Sequence, residues 1–229
     1  MQLIDRVRTT PPRFAGEEIR SLHELTRGDY YPYTRQSTWH DSTTINVNNV
    51  VGTMHPSYIG MSWAEFMEKG IRMRPNLAMH AQNPGYYYGD GKKEPSMYYI
   101  TFDENEFYIG QDGNHRTAIA RFEYHFSAKK PLIHGVTLDS HVVDWRLKDL
   151  HEQLLDMIGK RGLRIKAETH QTIVGRDDAA GMKVDRFDPK VLVTEFESGR
   201  KLLCDATQLG EYMTGLEKPK GFWGRLFGK

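Results

Sequence analysis

The sequence predicts an α+β protein: a mixed sheet with flanking helices, followed by a strand-rich C-terminal extension. Runs of period two at residues 44–51, 132–143, 163–174 and 190–196, rich in Val, Ile and Thr, predict strands. Between the first two, residues 63–69 and 114–124 read as helices, and 145–158 follows with an apolar stripe of Leu147, Leu150, Leu154, Met157 and Ile158. After Gly159-Lys-Arg-Gly162 the period changes from helical to strand-like, which marks the start of the extension.

Taken in order, residues 1–40 are polar and interrupted by Pro11-Pro12 and Tyr30-Tyr-Pro-Tyr33. They read as an irregular arm with one short helix over 16–25. Ser62 is an N-cap for the helix at 63–69, Glu65 completes a capping box, and Gly70 ends the helix. Residues 74–97, dense in Pro, Gly, Asn and Tyr, read as loop, with 83–93 its most mobile part. A hairpin turns around residues 103–106 and leads to a helix opening at Asn114. Asp144 caps the next helix, and residues 197–200 form a hairpin turn into a strand at 201–204. Asp205 then caps a last helix through Met213. The expected organisation is an arm at 1–40, a domain at 41–160, an extension at 161–217, and a basic aromatic tail at 218–229.

The chain has 229 residues, enough for a sizeable core. Its 31 Lys and Arg against 30 Asp and Glu exclude a global polycation, so nucleic-acid contact requires a local patch. The single cysteine, Cys204, excludes an intramolecular disulfide, and no segment has the ~20 apolar residues of a transmembrane helix. A soluble, cytoplasmic protein is the expectation. Neither zinc spacings, nor a Walker loop, nor a nucleophile elbow is present.

The densest chemistry lies in Asp112-Gly113-Asn114-His115-Arg116-Thr117, a tight turn running into a helix. Helix N-termini attract anions, because their first N–H groups lack intrahelical acceptors and the macrodipole is positive there. Gly113 permits close backbone approach. Arg116 fits phosphate oxygens, with Asn114, Thr117 and Ser57 as further phosphate donors. His115 fits general acid–base work, and Asp112 fits a base or a Mg²⁺ ligand. Each has a structural alternative: an Asx-turn for Asp112, a loop strut for His115, and an ion pair to Asp112, Glu106 or Glu123 for Arg116. Tyr86, Tyr87 and Tyr88 with Lys92 and Lys93 combine stacking faces with charge, as single-strand binders do, although packing accounts for aromatic clusters equally well. Phe222, Trp223, Leu226 and Phe227 in the tail sit at helical spacing suited to a protein partner or a membrane surface, and a disordered end is the alternative.

The Asp112–Arg116 run, followed by Ala118 and Ala120, resembles the Gly-x-His-Arg signature of the ParB/sulfiredoxin superfamily. His55-Pro56-Ser57 and the helix after Ser62 resemble that family's early Pro-containing loop and short helix. Asn114 stands where sulfiredoxins carry their catalytic cysteine, which argues against sulfur-transfer chemistry. Partition-type features are absent downstream. The resemblance therefore points to the ParB-like nuclease and nucleotide-hydrolase branch, which includes plasmid fertility-inhibition proteins of the Osa type. It implies a phosphate-binding hydrolase acting on DNA or a nucleoside triphosphate such as ATP, with Asp112, His115 and Arg116 catalytic and Mg²⁺ a possible cofactor. The alternatives are a nucleotide- or DNA-binding module without chemistry, and a partner-directed inhibitor or adaptor.

Overall fold

The computed structural model describes residues 1–217, without the side chains of Tyr88 and Glu217; the predicted tail at 218–229 lies outside the described residues. The class is the expected α+β, with parallel and antiparallel strand pairings. The chain divides into two compact units. One comprises Met1–Gly28, Ser37–Val142 and Arg176–Asp185; the other comprises Asp29–Gln36, Val143–Gly175 and the residues from Arg186 onward.

The first unit opens with α1 (Leu3–Thr9), then β1 (Arg20–Ser21), α2 (Leu22–Thr26) and most of β2 (Thr34–Asn46). β3 (Val50–Thr53), α3 (Trp63–Lys69), α4 (Met73–Gln82) and α5 (Gly85–Tyr88) follow. β4 (Tyr98–Thr101), β5 (Phe107–Ile109), α6 (Asn114–Ser127) and β6 (Leu132–Val143) complete it. The strand order is β1-β3-β5-β4-β6-β2. β3 runs parallel to both β1 and β5, β4 pairs antiparallel with β5, and β4 runs parallel to β6 with Tyr98 opposite Thr137. One core gathers Trp63, Phe66, Met67, Tyr99, Ile119, Phe122 and Val136, so α3 and α6 are fastened by their aromatic faces.

Several elements depart from the sequence reading. The arm is ordered: α1 buries Leu3 and Val7 in that core, and Ile19 is 1% exposed. In place of a helix over 16–25 stand a 3-10 turn at Arg13–Gly16, β1 and α2, because Ser21 accepts from the Glu24 N–H and starts the helix there. The strand expected at 44–51 is split by a 3-10 turn at Val47–Asn49, where the Asn46 side chain accepts from the Asn48 N–H at 3.0 Å. The expected loop at 74–97 contains α4. Its proline, Pro75, sits in the first turn, where the missing N–H removes no helical hydrogen bond. The capping box of Ser62 and Glu65 forms as the spacing predicts.

In the second unit, Asp144 caps α7 (Trp145–Arg161), accepting from the Leu147 N–H at 2.9 Å. The long strands β7 (Ile165–Ala179) and β8 (Met182–Glu195) contribute to both units and exceed the expected runs. β9 (Lys201–Cys204) pairs antiparallel with β8, placing Cys204 opposite Val191, and α8 (Ala206–Glu217) packs on α7. Leu147, Leu154, Val191, Val193, Leu209 and Met213 form this unit's core. Cys204 is 4% exposed there, and burial pushes its thiol pKa up, as suits an inert packing residue.

Phe122, with no exposure, packs at 4.9 Å from Phe14. Phe122→Ala is expected to lower unfolding free energy by about 3–5 kcal/mol, read by urea denaturation.

Candidate functional site

The turn before α6 is built by close backbone approach. A Cβ on Gly110 would fall 2.2 Å from the Tyr98 ring, and the Gly110 N–H donates to Tyr98 O at 2.8 Å. Tyr98 N–H in turn donates to Asp112 O at 3.1 Å. Gly113 takes φ +119°, a value L side chains rarely adopt, and becomes the residue before the first helical turn. No side chain caps α6, and its first turn carries no acidic residue. The N–H groups of Asn114, His115 and Arg116 therefore lack intrahelical acceptors by geometry, beside the positive end of a 14-residue helix.

His115 is the most instructive side chain. Its Nε2 lies 2.5 Å from the carbonyl oxygen of Ile71. A carbonyl only accepts, so Nε2 carries the proton and Nδ1 is left as the ring's acceptor. Burial holds its pKa below the ordinary 6.5; the Ile71 hydrogen bond and Asp112 pull the other way, while His55 and Arg72 push with burial. The ring rests on a wall of Tyr58 and Phe66, with centroids 5.8 and 5.5 Å away. His55 stacks on Tyr58 at 4.2 Å, and its Nδ1 accepts from the Ser57 N–H at 3.3 Å.

Asn114 is tied in by the same loop. Its Oδ1 accepts from Thr53 Oγ at 2.7 Å, and that hydroxyl accepts from the His55 N–H at 3.0 Å. Arg72, next to the carbonyl that holds His115, is a non-glycine residue at φ +63° and is exposed. Its guanidinium is close enough to act on both His115 and Tyr58, and among the described residues it has no ion pair.

The other candidates are largely engaged by the fold. Arg116 is 5% exposed and donates to Pro95 O at 2.6 Å and Ser96 O at 3.1 Å. Its ion pair is with Asp112 at 3.3 Å; of the other partners considered, Glu106 pairs with Arg20 at 2.5 Å. Thr117, with no exposure, donates to Gly113 O and accepts from Tyr99 OH, both at 2.7 Å, so its hydroxyl is spent on the turn. Ser57 is exposed and acts through its N–H on His55.

The stacking platform is likewise mostly turned inward. Tyr87 is 1% exposed and donates to Asn76 O at 2.9 Å, and half-buried Tyr86 lies under the Arg116 guanidinium at 5.7 Å. Lys93 is 4% exposed, with its ammonium on Gly89 O and, at 3.3 Å, Gly91 O; burial lowers its pKa. Lys92 pairs with Asp41 at 2.6 Å.

The residues present do not fit a protein-held Mg²⁺. One Asp112 oxygen accepts from the Gly113 N–H at 2.6 Å and the other faces Arg116, and among the described residues no three His, Cys, Asp or Glu converge. In the cluster of His55, Tyr58, Arg72, Asp112 and His115, Arg72 and Asp112 are exposed, His55 and His115 are half-buried, and Tyr58 is buried. Arg72 and Tyr58 were missed from sequence. Tyr58 directly follows His55-Pro-Ser57 and was within reach, whereas no local pattern marks Arg72. No helix of the described residues is long and apolar enough to cross a membrane.

No protein-family model, curated protein or solved structure matches the chain.

Removing Arg116 leaves two carbonyls without a donor. Arg116→Ala is therefore expected to cost about 1–3 kcal/mol of stability in denaturant unfolding, largely unrelieved by Arg116→Lys, which cannot fork onto both oxygens. His80, His115 and His151 all have pKa values lowered chiefly by burial. Each binds its proton more readily unfolded, so its contribution is present above pH 6.5 and is lost as pH falls below it. Unfolding free energy measured between pH 7 and pH 5 is expected to decline, and the His115 ring to titrate below 6.5 by NMR.

Proposed function

We propose that the N-terminus of α6 binds the phosphate of a nucleotide or nucleic acid, and that the chain hydrolyses a phosphoester or phosphoanhydride there, in a ParB/sulfiredoxin-like manner. One observation carries this reading: a neutral imidazole, fixed as its Nε2–H tautomer by Ile71, stands at an uncapped helix N-terminus. In this reading the N–H groups of Asn114 to Arg116 and the Arg72 guanidinium take the non-bridging oxygens. His115 Nδ1 accepts a proton from water as its oxygen attacks phosphorus, and the bond to the leaving oxygen breaks in line. The Asp112 carboxylate stabilises the imidazolium that results. A lowered pKa suits this base role better than protonation of the leaving group, because the ring is neutral at pH 7.

Arg116 is then a positioning residue that holds the turn rather than a transition-state cation. Its burial also favours a second reading, phosphate binding without turnover, since Arg72 is the exposed cation beside His115. The resemblance suggests a cytoplasmic setting in plasmid or mobile-element conflict, with DNA or a nucleotide as partner.

Arg72→Ala is expected to weaken nucleotide binding by about tenfold, matching one lost charge-assisted contact of ~1.4 kcal/mol, while circular dichroism stays unchanged. His115→Asn is expected to remove phosphate release from ATP, or nicking of plasmid DNA, while nucleotide binding by calorimetry persists. Turnover surviving in His115→Asn would refute the base assignment. Binding without turnover in the wild type would leave the module reading.

A further inference from the structure

A cavity of about 680 Å³ lies within the first unit, walled by α1 and α4. α1 packs on α3 and α6, and α4 packs on the same two helices, so the cavity has a shared floor. Leu77, Ala78 and Ala81 line it from α4, with Arg74 at the head of the same helical face, at the i, i+3, i+4, i+7 spacing. Leu3 and Ile4 line it from α1, and Met67, 1% exposed, from the floor. Facing helices fill such a seam with large side chains; α4 presents two alanines there, and the space stays open. A volume between roughly 300 and 1,000 Å³ and apolar walls with few charged groups are the marks of a small-molecule site.

The charges are unequally distributed along it. Arg6 donates to Phe126 O at 2.9 Å, one turn of α6 beyond Glu123, so those opposite charges share one end. At the other end, where α3 passes into α4, Arg8 pairs with Glu68 at 2.9 Å. Arg74 is left exposed, with no ion pair among the described residues. It stands in the first turn of α4, which carries no acidic residue, and a cation at that positive end is unfavourable until an anion answers it.

We propose that this cavity binds a linear aliphatic monocarboxylate, with its chain along Leu77, Ala78 and Ala81 and its carboxylate on the Arg74 guanidinium. No Phe, Tyr or Trp lines the cavity among the described residues, which favours an aliphatic body over a ring. A single unanswered cation suits one carboxylate rather than a polyphosphate. From Arg74 to Ala81 the stripe spans about 10 Å at ~1.5 Å per residue, the reach of a medium-length chain. The lining shares no residue with the His115 cluster, so this site is separate from the start of α6.

The test is isothermal titration calorimetry of the full chain with decanoate, below its micellar range, with decylamine as the cationic control. Decanoate is expected to bind with a Kd of about 100 μM, and decylamine about tenfold more weakly or not at all. Arg74→Glu is expected to weaken decanoate about tenfold and to strengthen decylamine, a gain that a misfolded variant would not show. Ala78→Phe, which puts a ring into the space from an exposed position, is expected to remove decanoate binding with circular dichroism unchanged. Saturating inorganic phosphate at constant ionic strength is expected to leave decanoate affinity unchanged. No decanoate binding by the wild type, equal affinity for the two amphiphiles, binding that survives Ala78→Phe, or displacement by phosphate would each overturn the proposal.

Discussion

The guanidinium of Arg116 has to be answered where it lies, because a buried cation without hydrogen-bond partners would cost several kcal/mol. The carbonyls of Pro95 and Ser96 and the carboxylate of Asp112 answer it, and they come from either side of the β4–β5 hairpin. That one side chain therefore binds the entrance of β4 to the exit of β5 and fixes where α6 begins. Gly113 can then turn at positive φ, Thr117 can close on the Gly113 carbonyl, and Asn114 and His115 are delivered to opposite neighbours, Thr53 and Ile71.

This division of labour separates rigidity from the proposed chemistry within six consecutive residues. Arg116, Thr117 and Asn114 are consumed by the turn. His115 is half-buried, while Asp112 and Arg72, from the start of α4, are exposed. Arg72 holds a left-handed backbone conformation at that place, and its carbonyl is kept by the Asn76 side chain at 2.8 Å. The proposed phosphate would use the Arg72 cation, the His115 imidazole and the helix N–H groups that lack intrahelical acceptors.

Much of this was legible beforehand, for physical reasons. The capping box at Ser62, the cap at Asp144 and the strands at 132–143 and 201–204 were readable because they rest on neighbours in sequence. The turn and the start of α6 were readable because Asp-Gly followed by a helix-forming run admits few conformations. What failed depended on distant partners or on the exact position of a residue within its element. Arg116 looked like a ligand group because nothing local shows that Pro95 and Ser96, about twenty residues upstream, face it. Lys93 and Tyr87 looked exposed because their loop is polar, yet Lys93 closes on carbonyls of its own loop and Tyr87 on α4. α4 itself was hidden by Pro75, which breaks a helix interior but not a first turn.

The central claim is that an anion binds at the start of α6. The most direct measurement is a ¹H–¹⁵N titration of the full chain with ATP and with inorganic phosphate, following every backbone amide. The account predicts the largest shifts at Asn114, His115 and Arg116, with the Arg72 guanidinium resonance moving in step. Shifts confined to other amides, with these three unmoved at saturating ligand, would contradict it.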